Sequence, residues 1–283
     1  MKSGSDAGSY DEEIKAWRKS RIHDLTSEDG WLALAGLFWL QAGKNTIGGS
    51  TASDIILPGG NAPDYAASIL VANGTITIEA SPEAGITCDG NPVRKLDLHS
   101  DEKGKPTVLK LGSLSFHVIK RGDQLGLRVK ARDNPDRVSF KGLDYYPIDR
   151  GWRLEGTFIP YNPPKLIPIT NILGMVEDQK SPGAIAFKIG GNTYHLDPVI
   201  EPGSKDLFIM FADRTSGSET YGSGRYLYAP MPLADGRTVI DFNKAYNPPC
   251  AFTRFATCPL PPHQNRLPIP VHAGEKKYSG GGH

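Results

Sequence analysis

A mainly β fold is predicted: an antiparallel β-sandwich, a second β-rich and loop-rich C-terminal part, and a short N-terminal helix. Three observations predict it. The 283 residues include 32 Gly and 23 Pro, a composition suited to many short strands joined by turns. Between residues 43 and 142, short apolar runs at 55–57, 68–71, 75–79, 114–119 and 126–129 carry the period-two alternation of half-buried strands. Those runs are separated by Gly59-Gly60, Asn73-Gly74, Asp89-Gly90 and Arg121-Gly122, the residue types that tight hairpins require.

The elements follow in order. Ile14, Trp17 and Ile22 recur at helical spacing among charges, so residues 10–25 read as a helix. Thr26 or Ser27 reads as the cap of a further helix, with Glu28 and Asp29 suited to its first turn. The apolar stretch 31–39 fits either a short helix or a strand, and packing into a core is its ordinary task. Residues 43–143 form the sandwich. Residues 144–165 read as a linker, and strands resume at 167–172, 183–189, 192–196 and 207–211. The expected division is therefore a helical segment 1–42, a sandwich 43–143 and a C-terminal domain 144–283. Tyr-Asn-Pro-Pro occurs at 161–164 and again at 246–249, but the flanks differ, so it is not an internal repeat.

Lys plus Arg number 32 against 31 acidic residues. That balance provides no global field for nucleic acid or an anionic membrane. The longest apolar run is far below the ~18 residues that cross a bilayer. The polar first ten residues do not resemble a signal peptide, and three cysteines are too few and too odd for a disulfide framework. The expectation is a cytoplasmic protein.

Function is expected in the last third. From Asp213 to Tyr278 apolar periodicity fades while aromatic, amide, carboxylate and proline residues crowd together. Prolines at 248–249 and 259–262 stiffen loops. Asp241, Cys250 and Glu275 are the expected catalytic residues. Arg225 supplies a fork for a carboxylate or phosphate, Asn243 and Asn247 supply amides, and Tyr226 and Tyr246 supply amphipathic walls. These ingredients suit a small-molecule pocket, with hydrolysis as one chemistry. The structural alternative is that Arg225 pairs with Asp241 while Asn243 and Asn247 satisfy loop backbone.

Cys250 and Cys258 lack the spacing of a zinc knuckle. A metal site made with His272, a Cys250 nucleophile using His272 as base with Glu275 or Asp241 as its partner, and a pair of buried small hydrophobes remain the alternatives. His117 and His195 fall in strand-like runs and read as structural. Ser223 sits in no Gly-x-Ser-x-Gly elbow, and Gly222-Ser223-Gly224 follows no parallel βαβ unit. Whether a cofactor takes part is unknown from the sequence.

Two resemblances add to this. Gly-Lys-Asn-Thr-Ile-Gly at 43–48, Ser-Asp-Ile-Ile-Leu at 53–57, Cys-Asp-Gly at 88–90, Leu-Lys-Leu-Gly at 109–112 and Phe-His-Val-Ile at 116–119 resemble a forkhead-associated (FHA) sandwich. In that family an arginine after the Ile-Gly pair and a serine near a Ser-x-x-His motif grip phosphothreonine. Here Gly49 takes the arginine's place and 62–68 holds no histidine, so the resemblance implies the fold. It also implies the alternative function, a noncatalytic module receiving a protein partner around 47–57. The strings Asp-Arg-Thr-Ser-Gly at 213–217, Thr-Tyr-Gly-Ser-Gly-Arg-Tyr-Leu at 220–227, Asp-Phe-Asn-Lys-Ala-Tyr-Asn-Pro-Pro-Cys at 241–250, Cys-Pro-Leu-Pro-Pro at 258–262, and 265–276 resemble a mostly bacterial family catalogued as domain of unknown function 1684. That resemblance extends over nearly the whole chain, including the Trp31 region, and implies no particular reaction.

Overall fold

The computed structural model describes residues 5–60 and 62–280. Contact density divides the chain into two compact units, residues 24–140 and residues 1–23 with 141–283.

The unit of residues 24–140 is the β-sandwich. One sheet is built on Gly43–Gly48, Ala67–Ala72 and Thr75–Ala80, paired antiparallel, with Ile55–Ile56 parallel at one edge and Lys95–Asp97 at the other. The second is built on the hairpin Leu114–Arg121 and Gln124–Ala131, flanked by Leu34–Trp39 and Leu109–Leu111. Ile47, Ile69 and Ile78 from the first sheet and Phe116, Val118, Leu127 and Val129 from the second form one fully buried core. The alternation read from the sequence is this inward-facing set. Two hairpin turns place consecutive residues in the left-handed region, Asn73 (φ 51°) with Gly74 (φ 73°) and Asp89 (φ 48°) with Gly90 (φ 81°). Asn-Gly and Asp-Gly tolerate that backbone because amide or carboxylate and bare Cα suffer least there.

Two expectations are corrected. Thr26 and Ser27 do not cap a helix with Glu28 and Asp29 in its first turn, because the first helix, α1, runs Ser5–Thr26 and ends there. Ser27 Oγ instead donates to the Asp24 carbonyl at 3.0 Å, closing the helix C-terminus. The stretch from Trp31 is both things at once, a 3₁₀ turn Trp31–Ala33 followed by the strand Leu34–Trp39.

His117 shows how the sandwich depends on pH. It sits on Leu114–Arg121 opposite Arg128. Burial, then Arg128, Lys130 and Arg121, push its imidazole down to about 4, against an opposing pull from Asp101. The folded value lies below the unfolded one, so this stability is present above pH ~6.5 and is lost as pH falls toward 4. After allowance for partial solvent screening, wild type should lose about 1–2 kcal/mol between pH 7 and pH 5 relative to His117→Gln. Urea titrations of both proteins at the two pH values check this, and parallel losses would remove His117 from the account.

In the other unit, a four-stranded antiparallel sheet runs in the order Asn192–Leu196, Val176–Ile189, Arg153–Thr170 and Arg237–Asp241. A hairpin of Asp206–Phe211 and Arg225–Pro230 accompanies it. Phe242 is fully buried at the core, meeting Trp152, Phe187 and Phe211 edge to face. Much of the expected linker lies inside the 18-residue strand Arg153–Thr170. Prolines without amide donors fall where its pairing slips, between Pro160 and Lys165. That slip accommodates them. Tyr10, Ile14, Trp17, Arg18 and Arg21 share one face of α1. Ile14 is fully buried, and Trp17 packs on Tyr246.

Candidate functional site

The expected site residues converge, but as buried framework. Arg225 opens the strand Arg225–Pro230 and is wholly buried. Its guanidinium reaches the carbonyls of Ala273, Glu275 and Val271, and pairs with Asp213 at 2.8 Å. The partner is therefore Asp213 and not Asp241. Asp213 in turn accepts from the Thr215 amide and hydroxyl and from the Val271 amide. A buried pair is favourable only when most of its remaining hydrogen-bonding positions are filled; here backbone groups and the Thr215 hydroxyl fill them except at Arg225 Nε, which is buried without a partner.

Asp241 and Asn243 hold α1. Tyr10 donates its hydroxyl to Asp241 at 2.9 Å, and the Asn243 amide donates to the Tyr10 oxygen at 2.9 Å. Asn243 also brackets the backbone of Asp149, accepting from its amide and donating to its carbonyl. Burial and the Asp241 carboxylate push the Tyr10 hydroxyl upward, so it stays a donor. Glu275, fully buried, accepts from Arg21 at 3.0 Å and from the Asn247 amide at 2.7 Å. Burial pushes its carboxyl up, opposed by Arg21 and the Asn247 amide. Arg21 also donates to the Asn247 carbonyl and lies 4.6 Å from the Tyr246 ring. Asn247 satisfies the Lys276 carbonyl.

Cys250 and Cys258 are buried together, with the Cys250 amide 3.1 Å from the Cys258 sulfur. Burial, followed by Cys250, pushes the Cys258 thiol upward. The other expected wall residue, Tyr226, is buried and donates to the Pro259 carbonyl at 2.7 Å. Among the described residues no hydrogen bond joins Cys250 to His272, and no three His, Cys, Asp or Glu side chains are grouped to hold a metal. None of the expected site residues lines either of the two clefts detailed below.

What this framework braces is an open cleft of about 400 Å³ lined by Tyr146, Pro147, Asp149, Trp152, Glu219 and His272. His272 lies between Val271 and Ala273, whose carbonyls Arg225 grips. Glu219 is fixed through its amide to the Thr215 carbonyl, within the turn that Asp213 organises. Tyr146 is tied by its amide to the Gly274 carbonyl. The result is a shared carboxylate: Tyr146 donates to Glu219 Oε2 at 3.1 Å, and His272 Nε2 lies 3.5 Å from Glu219 Oε1. The Glu219 and His272 side chains are each about half exposed, 52% and 51%, whereas the charges behind them are sealed. Burial and Glu219 push the Tyr146 hydroxyl up to about 12, so it remains protonated and donating. A carboxylate holding an imidazole beside a phenol is a proton-transfer arrangement.

Comparison with known proteins places this region. Residues 138–276 match the model of the DUF1684 family, described as protein of unknown function. The matched span holds the whole cleft and its bracing from Asp213, Arg225 and Glu275, and stops short of the Trp31 region. No curated protein matches the chain. The solution NMR structure of an uncharacterized protein of Haloarcula marismortui is similar at 31% identity, over 50% of this chain and 78% of that one, with a TM-score of 0.42. The FhaA FHA domain complexed with the intracellular domain of Rv3910 is similar at 17% identity, over 33% of this chain and 97% of that one (TM-score 0.24). EmbR of Mycobacterium tuberculosis, in complex with a low affinity phosphopeptide, is similar at 17% identity over 41% and 30% (TM-score 0.24). Among the described residues no helix is long and apolar enough to cross a membrane.

Of the residues lining this cleft, the sequence pointed to neither Tyr146 nor Glu219, and to His272 only beside the cysteines. The available signal was the polar turn 213–220, too dense in hydroxyl and carboxylate groups for a simple connection.

Proposed function

We propose that the chain binds a small molecule in the cleft of Tyr146, Asp149, Trp152, Glu219 and His272 and acts on it by proton transfer, hydrolysis being the simplest case. One observation carries this reading: a wholly buried arginine spends its fork on the carbonyls at either side of a half-exposed histidine. A half-exposed His–Glu contact itself contributes little to stability, so elaborate bracing of it points to use. In the hydrolytic form, water gives a proton to His272 as its oxygen bonds to the electrophilic centre. His272 returns that proton to the leaving group, and Glu219 holds the ring. Arg225, Asp213 and Glu275 are then positioning residues.

Less supports the alternative of a protein partner at 47–57. There Ile47, Ile55 and Leu57 are buried, and among the large apolar side chains Ile56 is exposed at 43%. A cytoplasmic location belongs to the same proposal, supported by three free cysteines.

A thermal-shift screen of a small-molecule library against wild type, His272→Ala and Glu219→Gln tests the site. The variants should melt within about 2 °C of wild type, because the pair contributes less than ~1 kcal/mol. A ligand at a hundredfold excess over its Kd should raise the wild-type midpoint by about 5–10 °C and leave both variants nearly unmoved. Equal stabilisation of all three proteins contradicts the proposal.

A further inference from the structure

A second cleft, of about 850 Å³, opens on the other strands of the same unit. Its floor carries Asp197, 9% exposed and just past the strand Asn192–Leu196. Asn265, wholly buried, fixes the Asp197 backbone, accepting from its amide at 2.7 Å and donating to its carbonyl at 2.9 Å. The carboxylate itself has neutral partners: the Tyr161 hydroxyl at 2.9 Å and, at a long 3.4 Å, the Gln264 amide. Among the described residues no basic group pairs with Asp197 within 4.0 Å. A carboxylate offers about four acceptor positions, and a buried charge without a counter-ion or full hydrogen bonding is costly. Asp197 lines the cleft with those positions unfilled by the protein.

The proline-driven slip in Arg153–Thr170 supplies the opposite wall. Residues 160 and 165 of that strand pair with Gly183 and Ser181, so extra residues are looped out between them. Tyr161 and Lys165, at either end of that stretch, line the cleft with the Lys165 ammonium 3.6 Å from the centre of the Tyr161 ring. Arg266, His195 and His263 add further cationic or proton-donating groups, and Ile167, Pro261 and Pro262 give apolar faces. Donors for an anion therefore sit beside an acceptor for hydroxyl groups, with flat apolar surface between them.

We infer that this cleft binds a hydroxylated organic anion of the sugar phosphate or sugar acid class. The anionic group faces Lys165 and Arg266, a ring hydroxyl donates to Asp197, and the ring lies against Tyr161 and the prolines. The inference is independent of the proton-transfer site, since no residue lines both clefts.

Isothermal titration of the full chain with glucose 6-phosphate, glucuronate, glucose and inorganic phosphate tests it. Saturable binding of at least one anionic sugar is expected, at least tenfold tighter than glucose or phosphate alone. Binding should weaken at least tenfold in Asp197→Asn and in Lys165→Met, and persist in His272→Ala. Lys165 is exposed, so that variant folds and carries the test even if Asp197→Asn does not. No saturable binding by either anionic sugar overturns the inference. So does binding unchanged in Lys165→Met, or inorganic phosphate binding as tightly as the sugar phosphate.

Discussion

Arg225→Ala should remove more stability than any other single polar substitution in this protein, about 5 kcal/mol or more. The truncation leaves Asp213 buried without its cation, and breaking such a pair costs about 3–5 kcal/mol by itself. It also strips the carbonyls of Val271, Ala273 and Glu275 of their donor, each buried loss adding roughly 1 kcal/mol or more. Against a typical total of ~5–15 kcal/mol, the variant either fails to fold or melts more than ~10 °C lower. Urea unfolding followed by tryptophan fluorescence measures it. Two comparisons separate charge from geometry. Arg225→Lys keeps the cation but not the fork and should recover only part of the loss. Arg225→Met combined with Asp213→Asn should cost less than Arg225→Ala, since no ion is stranded. If the double variant is the less stable one, the buried pair is not what holds the segment 271–275.

Glu275→Ala is the second large effect. It strands Arg21, removes the acceptor of the Asn247 amide and unseats α1, for a cost of about 3–5 kcal/mol. Hydrogen exchange should localise the damage, with amides of α1 between residues 10 and 22 exchanging faster than those of the strands. Glu275→Gln should cost less, because burial already raises the Glu275 carboxyl above its ordinary range. The sign follows from linkage: a carboxyl raised in the folded state contributes stability below its unfolded value, near pH 4, and loses it as pH rises through the folded value. The amide has no such dependence. The penalty of Glu275→Gln relative to wild type should therefore be largest near pH 4 and shrink toward pH 7. A penalty that grows with pH would mean that Arg21 outweighs burial at this carboxyl.

The parts legible in the sequence were those written in short-range pattern. Ile76 and Ile78 alternate with threonines and face the core. Asn73-Gly74 and Asp89-Gly90 make left-handed turns, and Ile14 and Trp17 mark a helix face. The importance of residues 213–275 was legible as composition. The role of each residue there was not, because the deciding partners are distant along the chain. Glu275 answers to Arg21, Asp241 to Tyr10, and Asn243 to the backbone of Asp149. Polar residues concentrated in proline-stiffened loops look alike in sequence whether they face a ligand or seal a backbone, since both tasks need the same donors and acceptors. Asp197 was hidden for another reason: the prolines of 160–164 suggested a linker, whereas they mark a slip inside a strand.

In the proposed function, buried ions hold Tyr146, Glu219 and His272 in place for a ligand. Soaking crystals of the intact protein with a diverse fragment library tests that most directly. Fragments should gather in the cleft with a polar atom within hydrogen-bond distance of His272 or Glu219, and should vanish from it in His272→Ala crystals whose backbone at 271–275 is unmoved. A library that leaves this cleft empty while occupying other surfaces would contradict the account.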